Sequence, residues 1–166
     1  MKLESLFRAE NKKLVRISDD REYQAVNCPV KEAATCLGEA KAKDVTDEFF
    51  AVNVPWSLVG FDEDNYNEQF LSDFRDFLKV LDEKKVYVYI NPVVDKEISC
   101  DAQKEELTSS FKHCARRIKD CQCVVGFTIP DGADPVYFME ELSAKHAQYV
   151  YFSKDLSLEN EKIVLI

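Results

Sequence analysis

Six apolar runs separated mostly by amphipathic stretches constrain this chain more than any other feature. They are "KLVRIS" (13–18), "EFFAVNVP" (48–55), "KVYVYIN" (85–91), "CVVGFTIP" (123–130), "QYVYFS" (148–153) and "KIVLI" (162–166). Their β-branched and aromatic residues occupy both faces of each run, as a parallel strand covered on both sides requires. Helical periods fill the gaps between the first five. The clearest covers 66–84, where Phe70, Leu71, Phe74, Phe77, Leu78 and Leu81 fall on one face at steps of three and four. A second covers 102–119, with Leu107, Phe111, Cys114, Ala115 and Ile118 inward. A third starts with Asp134 as N-cap and Pro135 in its first turn, then buries Phe138, Met139 and Leu142. After the first run, "PVKEAATCLGEAKAKD" has helix-forming residues interrupted at Gly38, read as an early C-cap.

Strand and helix in alternation imply an α/β fold with a parallel sheet joined by right-handed crossovers. Two architectures satisfy this. One is an incomplete TIM barrel, of which the chain supplies five or six β/α units out of eight; the other is an open, doubly wound, flavodoxin-like sheet. Strand order separates them, since a barrel keeps sequential neighbours while a doubly wound sheet reverses at a switch point. With 166 residues, the expectation is one domain over 1–166.

Charge and composition exclude several function classes. The chain has 22 basic and 31 acidic residues, a net charge of −9 with both signs mixed, so it offers nucleic acid no attractive field. The start "MKLESLFRAENKKL" lacks the apolar core of a signal peptide, and no run approaches a membrane span, so the expectation is a cytoplasmic protein with no membrane partner. Six cysteines then read as reduced core residues, and their spacing, with two isolated histidines, does not suit zinc. Four glycines form neither a dinucleotide fingerprint nor a P-loop, so neither a cofactor nor a metal is expected.

Acids and a lysine near run ends, namely Asp19, Asp20, Asp95, Thr128 and Lys154, resemble the constellation of a phosphoacceptor receiver domain. The spacing is too long for that family, and Asn91 stands where its phosphorylated aspartate would be. A receiver-like or other regulatory interaction module with an open sheet is kept as the alternative. His113 and His146 fall in or after helices, away from strand carboxyl ends, and are read as surface or core residues.

The stretch "VNVPWSLVGFDEDNYNEQFLSDFRDFLKVLDEKKVYVYINPVVD", followed by "SSFKHCARRIKDCQCVVGFTIPDG", resembles the second to fourth units of the cellulase-type glycoside hydrolases of family five and their clan. The likeness covers about 47–153. It implies an active site at the strand carboxyl ends and places "CVVGFTIPDG" at the strand bearing the family's general acid/base glutamate. Asp131 then replaces the asparagine that precedes that glutamate, and Gly132 replaces the glutamate itself. Val93 and Val94 occupy the histidine region of the third strand, where Asp95 alone keeps its type, and Asn53 takes the place of the second-strand arginine. The family's nucleophile, at the end of strand seven, has no counterpart in a chain with six runs. Retaining hydrolysis needs two carboxyls about 5 Å apart.

The resemblance therefore implies a degenerate glycosidase-like domain, without hydrolysis and so not an enzyme. Its expected role is to bind carbohydrate or a protein partner at the strand carboxyl ends. Asn53, Trp56, Asn91, Asp95 and Asp131 are the expected ligand-binding residues, with Trp56 as a sugar-stacking platform. A further alternative is a hydrolase active only with a completing subunit, using Asp95 and Asp131. The final run, apolar on both faces, is expected to be covered by a helix formed from "MKLESLFRAENKK" or by a second subunit, a homodimer included.

Overall fold

The structure, a computed structural model, describes residues 3–62 and 64–166. The chain opens with β1 (Phe7–Glu10), β2 (Lys13–Arg16) and β3 (Glu22–Tyr23), an antiparallel sheet in that order. The β/α part follows as β4 (Val30–Glu32), α1 (Ala33–Cys36), α2 (Glu39–Lys43), β5 (Phe49–Pro55) and α3 (Trp56–Val59). A small hairpin, β6 (Gly60–Asp62) and β7 (Asn65–Tyr66), leads into α4 (Glu68–Lys84) and β8 (Tyr87–Val93). The remaining elements are α5 (Asp101–Arg117), β9 (Val124–Thr128), α6 (Pro135–Ser143), β10 (Val150–Ser153) and β11 (Ile163–Leu165).

β4, β5, β8, β9, β10 and β11 form one parallel sheet in which each strand neighbours the next in the chain. That order belongs to an opened β/α barrel, and the reversal a doubly wound sheet requires does not occur. Helices cover one face, where α4 buries the six apolar residues of its predicted stripe and α5 buries Leu107, Phe111, Cys114 and Ala115. Asp134 caps its helix as the sequence suggests, and the structure adds Asn67 as the cap of α4. Asn67 accepts a hydrogen bond from the Phe70 amide at 3.1 Å, and Asp134 accepts one from the Tyr137 amide at 3.0 Å beside Pro135.

The amino-terminal third departs from the sequence reading. The run at 13–18 is not the first parallel strand; its residues 13–16 form the centre of the antiparallel sheet. Asn11 and Lys12 both have positive φ (51° and 63°), the geometry of a two-residue type I′ turn, which makes 7–16 a hairpin instead of the expected covering helix. The first parallel strand is β4, inside the segment assigned to helix. There Pro29 cannot continue a helix, and Gly38, at φ 117°, separates two single-turn helices.

This antiparallel sheet lies against the face of the parallel sheet that the helices leave bare. Phe7, Leu14 and Tyr23 join Phe49, Tyr89 and Phe152 in a second apolar cluster. Phe7 meets Tyr23 and Tyr87 edge-on at 5.1 and 4.9 Å. In a closed barrel this face points into the lumen; here the chain's own hairpin fills its lower part. The hairpin also covers the last strand. Ile163 and Val164 are 2% and 1% exposed, and the Leu165 amide donates to the Lys12 carbonyl at 2.9 Å, so this cover needs no second subunit.

Candidate functional site at the strand carboxyl ends

Above the aromatic cluster the inner face is open, leaving a concavity of about 1250 Å³. Its floor is built from strand ends, including Ala51, Tyr89, Asn91 and Thr128. Its walls are the loop after β9 (Pro130–Gly132), the segment Ala25–Cys28 and the residues following β8 and β10. Strand register explains the floor. Glu32, Asn53 and Asn91 are paired across β4, β5 and β8, and because Ile90 pairs with Phe127, Thr128 comes next in the row. Alternation sends all four to the bare face, where no helix demands an apolar side chain.

These polar residues are joined to one another. Asn91 Nδ2 donates to Asn53 Oδ1 at 2.7 Å, and Asn53 Nδ2 donates to Glu32 Oε1 at 2.8 Å. Thr128 Oγ1 is shielded from solvent and has no hydrogen-bond partner among the described residues. Tyr89, stacked on Phe152 at 4.1 Å, directs its hydroxyl to the Ala25 carbonyl at 3.4 Å with the Cys28 thiol nearby. Burial pushes the Tyr89 hydroxyl well above its ordinary range, so it acts as a donor and not as a base.

The five expected ligand-binding residues divide. Asn91 and Asp131 line the concavity, whereas Asn53 lies behind Asn91 as its hydrogen-bond partner. Asp95 does not line it. Its Oδ1 accepts from the Ser57 amide at 2.9 Å and its Oδ2 from the Ser57 hydroxyl, which ties the loop after β8 to α3. Trp56 is 1% exposed, so it offers no face to a sugar. Its indole N–H donates to Ser110 Oγ at 3.0 Å, and the Lys96 ammonium lies 4.7 Å from its ring. The proline of the "VPW" turn starts α3 and turns the indole into the helix layer, away from the strand-end rim.

Asp155, just past the end of β10, also has structural partners. Asp155 accepts from the Ser157 amide and hydroxyl at 2.9 and 2.6 Å, and these bonds hold its carboxyl below the usual range. Gly132 has φ +90°, and a Cβ added there would fall 2.7 Å from Ile98 Cδ1, so the loop after β9 is shaped for glycine.

A receiver-like cluster does not form. Asp19 is held by Arg16 at 2.9 and 2.6 Å, with its carboxyl lowered to about 2, and Asp20 accepts from Arg8 at 2.7 Å. Their turn is anchored by Arg21 to Glu48 at 2.6 Å, just before β5 begins, which is the opposite end of the sheet from Asp95. His113 pairs with Glu68 at 2.6 Å and stacks on Tyr66, while His146 is buried. Cys114, Cys121 and Cys123 are buried, and burial raises all three thiols, to about 12 for the first two. Among the described residues no cluster of three or more metal-ligating side chains occurs, and no helix is long and apolar enough to cross a membrane.

Sequence reasoning missed Glu32, Tyr89 and Cys28. Glu32 was hidden by the helix-forming residues around it. The other two needed the fold of the amino-terminal third, which brings Cys28 beside Tyr89.

No protein-family profile matches the chain, and no curated protein sequence does. Its fold has counterparts among solved structures. The endoglucanase Cel5A of Pseudomonas stutzeri matches with a TM-score of 0.58 at 13% identity, over 71% of this chain and 46% of that one. A GH5_18 protein from Bifidobacterium longum subsp. infantis matches with a TM-score of 0.50 at 8% identity, over 71% of this chain and 38% of that one. The chain spans less than half the length of either, and over the matched 71% it has a fold like that of family-five glycoside hydrolases.

Proposed function

We propose that the chain is a glycosidase-like partial barrel that binds carbohydrate in the concavity at its strand carboxyl ends without hydrolysing it. One observation carries this reading: Glu32, Asp95 and Asp155, acids near the strand ends, are engaged by structural partners. Glu32 is bound by Asn53, Asp95 by Ser57 and Asp155 by Ser157. Glycoside hydrolysis requires two carboxyls facing the bond to be cleaved; Asp131, exposed on its loop, and Asp155 both line the concavity, and the Asp155 carboxyl is taken up by the Ser157 amide and hydroxyl. The concavity is lined by the Asn91 amide and the Tyr89 ring together with the charged Lys96, Asp131, Lys154 and Asp155, a mixed polar and aromatic lining that supports a polyhydroxylated ligand.

A hydrolase completed by a second subunit is the less supported reading. Asp95 is turned away from the concavity, and the lower part of the face that a closed barrel would enclose is already occupied by β1–β3.

The test is incubation of the protein with cello-, manno- and xylo-oligosaccharides, measuring turnover and binding together. Binding without turnover is expected, with Asn91→Ala weakening it about tenfold, the effect of one hydrogen bond to a polar ligand. Turnover that disappears in Asp131→Asn would overturn the proposal, since loss of a general acid removes on the order of 10²–10⁴ in rate.

A further inference from the structure

The row of Glu32, Asn53 and Asn91 across the strand ends has a direction. An ionised carboxylate accepts hydrogen bonds and donates none, while an asparagine amide has one accepting and one donating end. Glu32 Oε1 therefore requires Asn53 to present its NH₂ group, as it does at 2.8 Å. That orientation points Asn53 Oδ1 at Asn91, which must in turn present its own NH₂, as it does at 2.7 Å. The carbonyl oxygen of Asn91 is left for the concavity, which Asn91 lines while Asn53 and Glu32 do not.

We infer that Glu32 is a positioning residue which, acting through Asn53, sets Asn91 as a hydrogen-bond acceptor and so selects ligands that present an O–H or N–H group there. The selection rests on the concavity being a ligand site; the polarity of the row does not. Without Glu32 both amides can rotate by half a turn, and Asn91 loses its fixed polarity. An anionic oxygen meets an acceptor at this position and is disfavoured, whereas a hydroxyl or a protonated amine is matched.

The test combines a ligand-free measurement with a binding measurement. In the labelled full chain, NMR coupling across the hydrogen bond should run from the Asn91 side-chain nitrogen to the Asn53 side-chain carbonyl carbon. Glu32→Gln keeps the size of the side chain but offers both a donor and an acceptor, so this coupling should weaken or split into two states. The double variant Glu32→Gln with Asn53→Asp should restore a single Asn91 orientation. There the acceptor-only group has moved to position 53, where the amide introduced at position 32 and that of Asn91 can both donate to it. Loss of packing alone would not be rescued in this way. Cellotetraose affinity should follow the same series, falling about tenfold in Glu32→Gln and recovering in the double variant.

Coupling in the reverse direction in the unmodified protein, or an unchanged Asn91 orientation in Glu32→Gln, would overturn the inference. If cellotetraose fails to bind while the coupling series behaves as expected, the carbohydrate reading fails and the polarity of the row stands.

Discussion

The Cα of Gly126 lies so close to the backbone of Val150 on the neighbouring strand that an added Cβ would fall 1.7 Å from the Val150 carbonyl oxygen and 3.1 Å from its amide nitrogen. The two residues are paired in register, and the pairing between β8 and β9 shifts by one residue just before Gly126. Such a bulge turns a sheet, and this one lies just before Thr128 and the loop bearing Asp131. The close pairing of β9 with β10 thus depends on a missing side chain in the middle of a strand.

Gly126→Ala should accordingly be among the most damaging single-atom additions to this protein. The contacting atoms are backbone and cannot rotate away, so a loss of about 3 kcal/mol or more is expected in urea unfolding. Gly38→Ala is the comparison. It has φ 117° and ψ 145°, a conformation essentially confined to glycine, but nothing within 4 Å of the added methyl, so only the backbone cost of about 1–3 kcal/mol should appear.

Trp56→Ala should lower stability by about 3–5 kcal/mol, because the indole is fully within the helix-side core. Trp56→Phe should keep most of the packing while leaving the Ser110 hydroxyl without its indole donor, a cost of about 1–2 kcal/mol. Binding of oligosaccharide to Trp56→Phe, measured by calorimetry, should match that of the unmodified protein. A stacking platform would give the opposite pattern, with affinity lost and stability kept.

Stability should fall as the pH drops below about 6.5, the ordinary value of a histidine. Burial, then the charges of Lys119 and Lys145, hold the His146 imidazole below that value, and its ring lies tilted against Tyr149. The unfolded chain therefore takes up a proton that the folded protein refuses. The stability conferred is complete above pH 6.5 and is lost as the pH falls through the folded-state value. Urea midpoints measured from pH 7.5 to 5 should decline in the unmodified protein and less steeply in His146→Gln. The range stops above the window in which Asp120, held low by its hydrogen bond to Arg75, begins to contribute a slope of the same sign.

Much of the β/α part is legible from local pattern, because its signals are local. The stripe from Phe70 to Leu81 needs only helical spacing to define a face, and Asp134, beside Pro135, acts on an amide within a turn of itself. The runs that became β5, β8, β9, β10 and β11 are apolar on both faces because both faces are covered, so composition alone marks them. What covers the second face is not a local property. The sheet of β1–β3 reaches it through contacts between residues far apart in the chain, such as Phe7 with Tyr87 and Lys12 with Leu165. β4 has three residues, too few for its period to stand out against helix-forming neighbours, and it becomes a strand because the edge of β5 offers it hydrogen bonds.

The candidate site divides along the same line. Asn91 and Asp131 were legible because strand ends in a parallel α/β sheet converge on one side, a consequence of strand direction alone. Trp56 and Asp95 sit at equivalent points in the chain but were decided by side-chain partners, the Ser110 hydroxyl and the Ser57 backbone and hydroxyl, which no spacing rule encodes. Sequence by itself determined the repeating unit and the end of the sheet where polar residues gather. Tertiary structure alone decided the strand order and which of those residues face the concavity, because both depend on which partners fold into reach of each strand edge, carboxylate, amide and ring.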